Sequence, residues 1–233
     1  MIGLFVLAAL AQPVWIAQFV GSGPVPAPWR VVQIGRKAPP TQYRRATVSG
    51  VQAIEARAER SMALLARPIA VDLAATPVLC WRWFVDAPVA KADMTKKSGD
   101  DYAARVYVSF DVPDAQLSAG TRMKLKLARS LFGRGVPDAA LNYVWDNRHP
   151  VGTRGRSPYT DRAELIVAET GAGRAGQWVA ERVDIAADFK KAFGGMARPI
   201  QLAIASDTDN TRSSARAAFA DIHFVAASER CRF

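Results

Sequence analysis

Apolar runs along this chain are short, and Gly, Pro or polar breaks separate them at strand-length rather than helix-length intervals. Candidate strands fall at 14–20 and 29–34, separated by Gly21-Ser22-Gly23-Pro24, and at 42–48 and 51–58, flanking Ser49-Gly50 as a hairpin turn. Two more fall at 62–66 and 69–73, with Pro68 between them. The strongest is 77–85, where Leu79, Trp81, Trp83 and Val85 alternate with Val78, Cys80, Arg82 and Phe84, the two-residue period of a strand. Both tryptophans then share one face, which predicts core; an exposed sugar-stacking platform is the alternative. Runs at 103–110, 123–127, 141–145, 163–168, 177–183, 201–206 and 217–225 continue the pattern. In 123–127 apolar residues alternate with Lys124 and Lys126, which predicts a strand with one wet face. A single segment stands out as helical: Ile185, Phe189 and Phe193 at i, i+4 and i+8, with Asp184 as N-cap and Gly194-Gly195 as the stop. Many short strands with one short helix near 185–193 predict a mainly β protein, a two-sheet β-sandwich of the jelly-roll kind.

The first residues differ from the rest. Met1 to Leu10 is apolar except for Gly3, and Ala9-Leu10-Ala11 is a small-x-small cleavage pattern ahead of Gln12-Pro13. The run is too short to span a bilayer, so residues 1–11 read as a signal peptide, although no Lys or Arg precedes them. A buried first strand of a cytoplasmic protein is the other reading. The expectation is a periplasmic or secreted protein whose residues 12–233 form a single sandwich domain, without internal repeats or low-complexity tracts.

Charge changes the picture little. Lys and Arg number 31 against 21 Asp and Glu, a formal +10, which favours acidic partners such as an anionic envelope surface. The basic residues are dispersed, so the surplus reads first as solubility, and nucleic acid is not expected as a partner. Cys80 sits inside an apolar run and Cys231 near the end of the chain. Export permits a disulfide between them, but Cys80 reads first as a buried free thiol.

Candidate chemistry lies in three polar clusters at strand ends, where a sandwich carries its binding loops. Gly99-Asp100-Asp101-Tyr102-Ala103-Ala104-Arg105 opens one strand, and Asp101 and Arg105 share a face there, as a structural ion pair or as ligand contacts. Ser206-Asp207-Thr208-Asp209-Asn210-Thr211 offers six consecutive oxygen-bearing side chains, which suits a structural Ca²⁺ or a self-bonded Asx turn. An EF-hand is excluded, since Arg212 and Ala218 occupy its required Gly and Glu positions. The third, Tyr143-Val144-Trp145-Asp146-Asn147-Arg148-His149-Pro150, sets aromatic rings beside hydrogen-bonding groups, as sugar binding requires. The chain carries no Gly-x-Ser-x-Gly elbow, Walker loop or His-Glu-x-x-His motif, and only His149 and His223 as histidines.

Trp81-Arg82-Trp83, Gly99 to Val108, Tyr143-Val144-Trp145, Trp178, Asp188-Phe189 with Phe193-Gly194, and Asp207 to Thr211 occur in this order. That succession resembles the bacterial family known as domain of unknown function 3047, from about residue 14 to 224. The resemblance implies an exported sandwich similar to galactose-binding-like domains, with no established activity and no catalytic residues to carry over. The resulting expectation is a monomeric, non-catalytic module for carbohydrate or a related polar ligand, bound through Asp100, Asp101, Arg105, Tyr143, Trp145, Asp207, Asp209 and Asn210. Two alternatives stand beside it: a jelly-roll polysaccharide hydrolase or lyase, and an envelope scaffold meeting anionic lipid or a protein partner.

Overall fold

The computed structural model describes residues 12–33, 38–132 and 136–233, so the signal peptide expected at 1–11 lies outside the described residues. Thirteen strands are described: β1 Val14–Ala17, β2 Arg30–Val32, β3 Gln42–Val48, β4 Val51–Glu59, β5 Leu64–Pro68, β6 Val78–Val85, β7 Arg105–Asp111, β8 Ala139–Asp146, β9 Arg154–Ser157, β10 Thr160–Thr170, β11 Val179–Asp184, β12 Arg198–Ala205 and β13 Ser214–Val225. Two helices accompany them, α1 Ala119–Phe132 and α2 Ile185–Phe193.

The strands form two sheets. The first runs β11-β6-β13-β4-β3, with β1 also paired to β13; the second runs β2-β5-β12-β7-β8-β10-β9. Pairing is antiparallel except between β8 and β10. This is the expected two-sheet β-sandwich. Its core holds Trp81 and Trp83 of the first sheet against Tyr143 and Trp145 of the second, all fully buried, with ring centroids 5.3 to 5.7 Å apart. The alternating tryptophan face is therefore core and not a platform.

Local chemistry explains the elements. Ser49 and Gly50, both at positive φ, close the β3/β4 hairpin, and register then follows by counting from Val48↔Val51 to Arg44↔Glu55. Helix α2 begins where the Asp184 carboxylate accepts from Ala187 N at 2.8 Å, and ends at Gly194 and Gly195, both at positive φ.

Several expectations need correction. Residues 123–127 lie in α1: Ser118 Oγ accepts from Thr121 N at 3.1 Å as an N-cap, and Leu125 is buried while Met123 and Leu127 are exposed. The Lys-Leu-Lys alternation falls within a helix, with Leu125 turned in and Met123 and Leu127 turned out. Residues 69–73 are not a strand, because Asp72 folds the chain into a local turn, its Oδ1 accepting from Ala74 N and its carbonyl from Thr76 N. Strand β9 escaped notice because Arg154-Gly155-Arg156-Ser157 has no apolar residue and pairs on one side only, with β10. Cys80 is not a free thiol; it forms a disulfide with Cys231.

Candidate functional site

The ends of β4, β6, β8 and β12 and the starts of β3, β5, β7 and β13 meet at one end of the sandwich, and two of the three sequence-predicted clusters interlock there. Arg105, at the start of β7 and 2% exposed, reaches Asp207 in the β12–β13 loop twice, Nε to Oδ1 at 2.8 Å and a terminal nitrogen to Oδ2 at 2.6 Å. The same guanidinium contacts the Asp100 carboxylate at 3.2 Å and its carbonyl, and lies over the Tyr102 ring at 4.3 Å. Asp101, fully buried, accepts from Thr211 N and Oγ1, both at 2.6 Å, and from Asn210 N and Nδ2. Two loops more than a hundred residues apart are thus bolted together. Burial alone would lower the Arg105 pKa, but Asp100 and Asp207 raise it well above the usual arginine value. Burial likewise pushes the Asp100 and Asp209 carboxyls up, Arg105 opposing it at Asp100 and neighbouring Asp101 adding to it at Asp209.

Asp101, Asp207 and Asp209 each place a carboxylate oxygen within 4.8 Å of the others. Arg105 supplies the positive charge at Asp207, and backbone and side-chain donors fill both oxygens of Asp101. A calcium ion would have to compete with these partners at Asp101 and Asp207, whereas the buried Asp209 Oδ1 has no hydrogen-bond partner among the described residues.

Tyr143 and Trp145 do not join the cluster. Both side chains point between the sheets, the Tyr143 hydroxyl donating to Asp188 at 2.7 Å and the Trp145 indole N–H to the Gly171 carbonyl at 3.0 Å. An inward phase on β8 buries the rings that sequence reading assigned to ligand stacking. The exposed ring beside the cluster is Tyr159, from the β9–β10 turn, with its hydroxyl 2.8 Å from Asn210 Oδ1.

On its other side the β12–β13 loop supports a groove. Thr208 N donates to the Ser61 carbonyl at 3.0 Å, and the Thr41 hydroxyl donates to the Ser206 carbonyl at 2.8 Å. Ser61 is one wall of a cavity of about 620 Å³ lined also by Gln42, Arg57, Glu59, Asp86 and Arg216. A second cavity of about 330 Å³ adjoins it through Gln42 and Arg57 and adds Tyr43, Arg44 and Glu55. Glu55, 1% exposed, takes Nε of Arg44 at 2.6 Å, Nε of Arg57 at 3.1 Å and Nε of Arg216 at 2.6 Å. Burial would raise its pKa, but the bonds from Arg57, Arg216 and Arg44 prevail and hold it down to about 2. Arg216 also reaches Asp86 at 2.9 Å. None of these groove residues was singled out from sequence, although the hairpin turn alone places Arg44 opposite Glu55, with Arg57 two residues along the same face.

A two-sheet sandwich with an ion-paired loop hub at one end and a groove against it places the molecule among the two-sheet β-sandwich proteins. Residues 27–223 match the model of the family described as "Protein of unknown function (DUF3047)", and the chain belongs to that family. No curated protein matches the chain. Among solved structures, it is similar to the xyloglucanase domain of NopAA, a type three effector from Sinorhizobium fredii, in complex with cellobiose (11% identity, 85% of this chain and 92% of that one, TM-score 0.42). It is also similar to the family 30 carbohydrate-binding module of a cellulosomal cellulase of Clostridium thermocellum (10% identity, 94% and 100% covered, TM-score 0.42). Likeness at this level carries no functional inference.

Proposed function

We propose that the protein is a binding module for a neutral, hydroxyl-rich ligand of the carbohydrate class, seated in the groove between β3, β4 and β13. The observation that carries this is the groove itself: its volume is that of a small-molecule site, and its lining mixes prolines and alanines with polar groups whose charges balance. Arg44, Arg57 and Arg216 stand against Glu55, Glu59 and Asp86 across the two cavities. Against a chain with a formal +10, that local balance favours sugar hydroxyls, which both donate and accept, over a polyanion. Asp100, Asp101, Arg105, Asp207 and Asn210 order the β12–β13 loop that backs the groove through Ser61. As part of the same reading, the chain is exported and its mature form begins near Gln12, which N-terminal sequencing checks.

A glycan array followed by calorimetry tests the reading. Neutral oligosaccharides should bind, and Arg57→Ala and Asp86→Ala, both at half-exposed positions, should each weaken binding by roughly tenfold or more; melting should be unchanged in Asp86→Ala and lowered only in part in Arg57→Ala, because Arg44 and Arg216 still hold Glu55. An array on which no neutral glycan binds, or binding that survives both substitutions, rejects it. Release of reducing ends from a bound glycan would instead reveal a hydrolase.

A further inference from the structure

On the outer face of the first sheet, away from the groove, Cys80, His223 and Cys231 come together, with one ligand atom from each within 4.8 Å of the other two. Cys80 on β6 and His223 on β13 are direct cross-strand partners. His223 faces that way because of a bulge. Ala218 and Ala220 point outward and Phe219 inward, but after Asp221, at φ 53°, the phase flips so that Ile222 and Phe224 enter the core and His223 turns out. A positive φ at a non-glycine residue is uncommon, and bulges of this kind re-aim a side chain.

The imidazole is held in one tautomer. Nδ1 lies 2.7 Å from the Asp221 carbonyl, which can only accept, so Nδ1 carries the proton; Nε2 then accepts from Arg232 N at 3.0 Å. A histidine whose Nδ1–H is fixed on a backbone carbonyl has the outer-shell arrangement of a metal ligand, its one remaining lone pair, on Nε2, being taken by Arg232 N–H in the oxidised chain. Trp15 stacks on the ring at 4.3 Å and Phe233 meets it edge-on, which keeps it in place.

We propose that, with the disulfide reduced, Cys80, Cys231 and His223 form a three-ligand site for a zinc-class d¹⁰ cation, leaving a fourth position open. Tetrahedral zinc needs its sulfur and nitrogen ligands about 3.5–3.8 Å apart, and the three ligand atoms already lie within 4.8 Å of one another. Cys80 is fixed in a central strand, while Cys231 lies on the tail beyond β13, outside any strand or helix, and is half-buried. The tail therefore supplies the small opening. A dithiol breaks the Cys80–Cys231 bond, delivering two electrons and two protons and leaving as its own disulfide. The cation then displaces the two thiol protons, forming two metal–sulfur bonds and one bond to Nε2, and Arg232 N–H gives up its acceptor. The same face becomes a redox-gated metal site, closed when oxidised. This goes beyond the ligand-binding reading and does not depend on it.

The test is anaerobic titration of the dithiol-reduced, desalted chain with Co²⁺, followed by displacement with Zn²⁺. One equivalent should bind with a thiolate-to-cobalt charge-transfer band and raise the melting temperature, while the oxidised chain stays silent. Cys231→Ser and His223→Gln should each weaken cobalt binding on the order of 100-fold; the serine lies on the tail, so that variant reports even where the buried glutamine disturbs folding. A reduced chain that binds no cobalt, or cobalt affinity equal in the oxidised chain or in Cys231→Ser, overturns the proposal.

Discussion

At the residue scale the strongest commitments are buried ion pairs, and their legibility depended on separation in the chain. Arg44 opposite Glu55 follows from a two-residue turn by counting; Arg105 against Asp207 does not, because 102 positions separate them and only the fold joins them. Removing one partner of such a pair leaves the other charged and unpaired, at a cost of ~3–5 kcal/mol. Arg105→Ala should therefore melt far below the parent, and Asp101→Ala should also lose stability rather than ligand affinity alone, both readable by denaturant titration. Glu181 offers a sharper case. It faces inward on β11, accepts from the Trp83 indole N–H at 3.2 Å, and is pushed up to about 8 by burial and then by the nearby charge of Glu169. The folded state keeps this proton between about pH 4.5 and 8 while the unfolded chain has released it, so this residue's contribution to stability falls as pH rises through that window. At ~1.4 kcal/mol per unit the fall is at most ~5 kcal/mol. Glu181→Gln keeps the indole's acceptor and should flatten the stability profile from pH 5 to 8 while stabilising the protein at pH 8. A variant with the parent's slope refutes this.

At the scale of elements, legibility followed local chemistry. The hairpin and α2 were readable because a turn dipeptide, an N-cap and a glycine stop all lie within the element itself. Helix α1 was not, since Met123 and Leu127 lie exposed and Met123, Leu125 and Leu127 alternate with lysines as a strand's residues would. For the same reason the site was half legible. Oxygen-rich loops announced the hub, but the inward phase of Tyr143 and Trp145 depends on sheet packing that no local pattern encodes. The α2 cap gives an expected value: Asp184→Ala removes the acceptor of Ala187 N and should lower stability by ~1 kcal/mol, with Asp184→Asn close to the parent in thermal melts.

Across the whole molecule the two sheets are held together by a shared aromatic layer, and one covalent tie fixes the C-terminal tail to the outer face of the first sheet. Trp83 is fully buried between Trp81 and Trp145, and Trp83→Ala should cost ~3–5 kcal/mol, seen as insolubility or a much lower melting temperature. The disulfide closes a span of 151 residues, and by loop entropy its reduction should lower stability by ~2–5 kcal/mol, an effect that bound zinc would then reverse. The position of β13 has a consequence for how the protein is made. This last strand lies between β6 and β4 and also carries β1, so a nascent chain has both halves of the first sheet and no strand to join them until about residue 225 leaves the ribosome. Stalled chains ending before Ser214 should be cut by protease throughout β3, β4 and β6, and release of the last few dozen residues should protect all three at once.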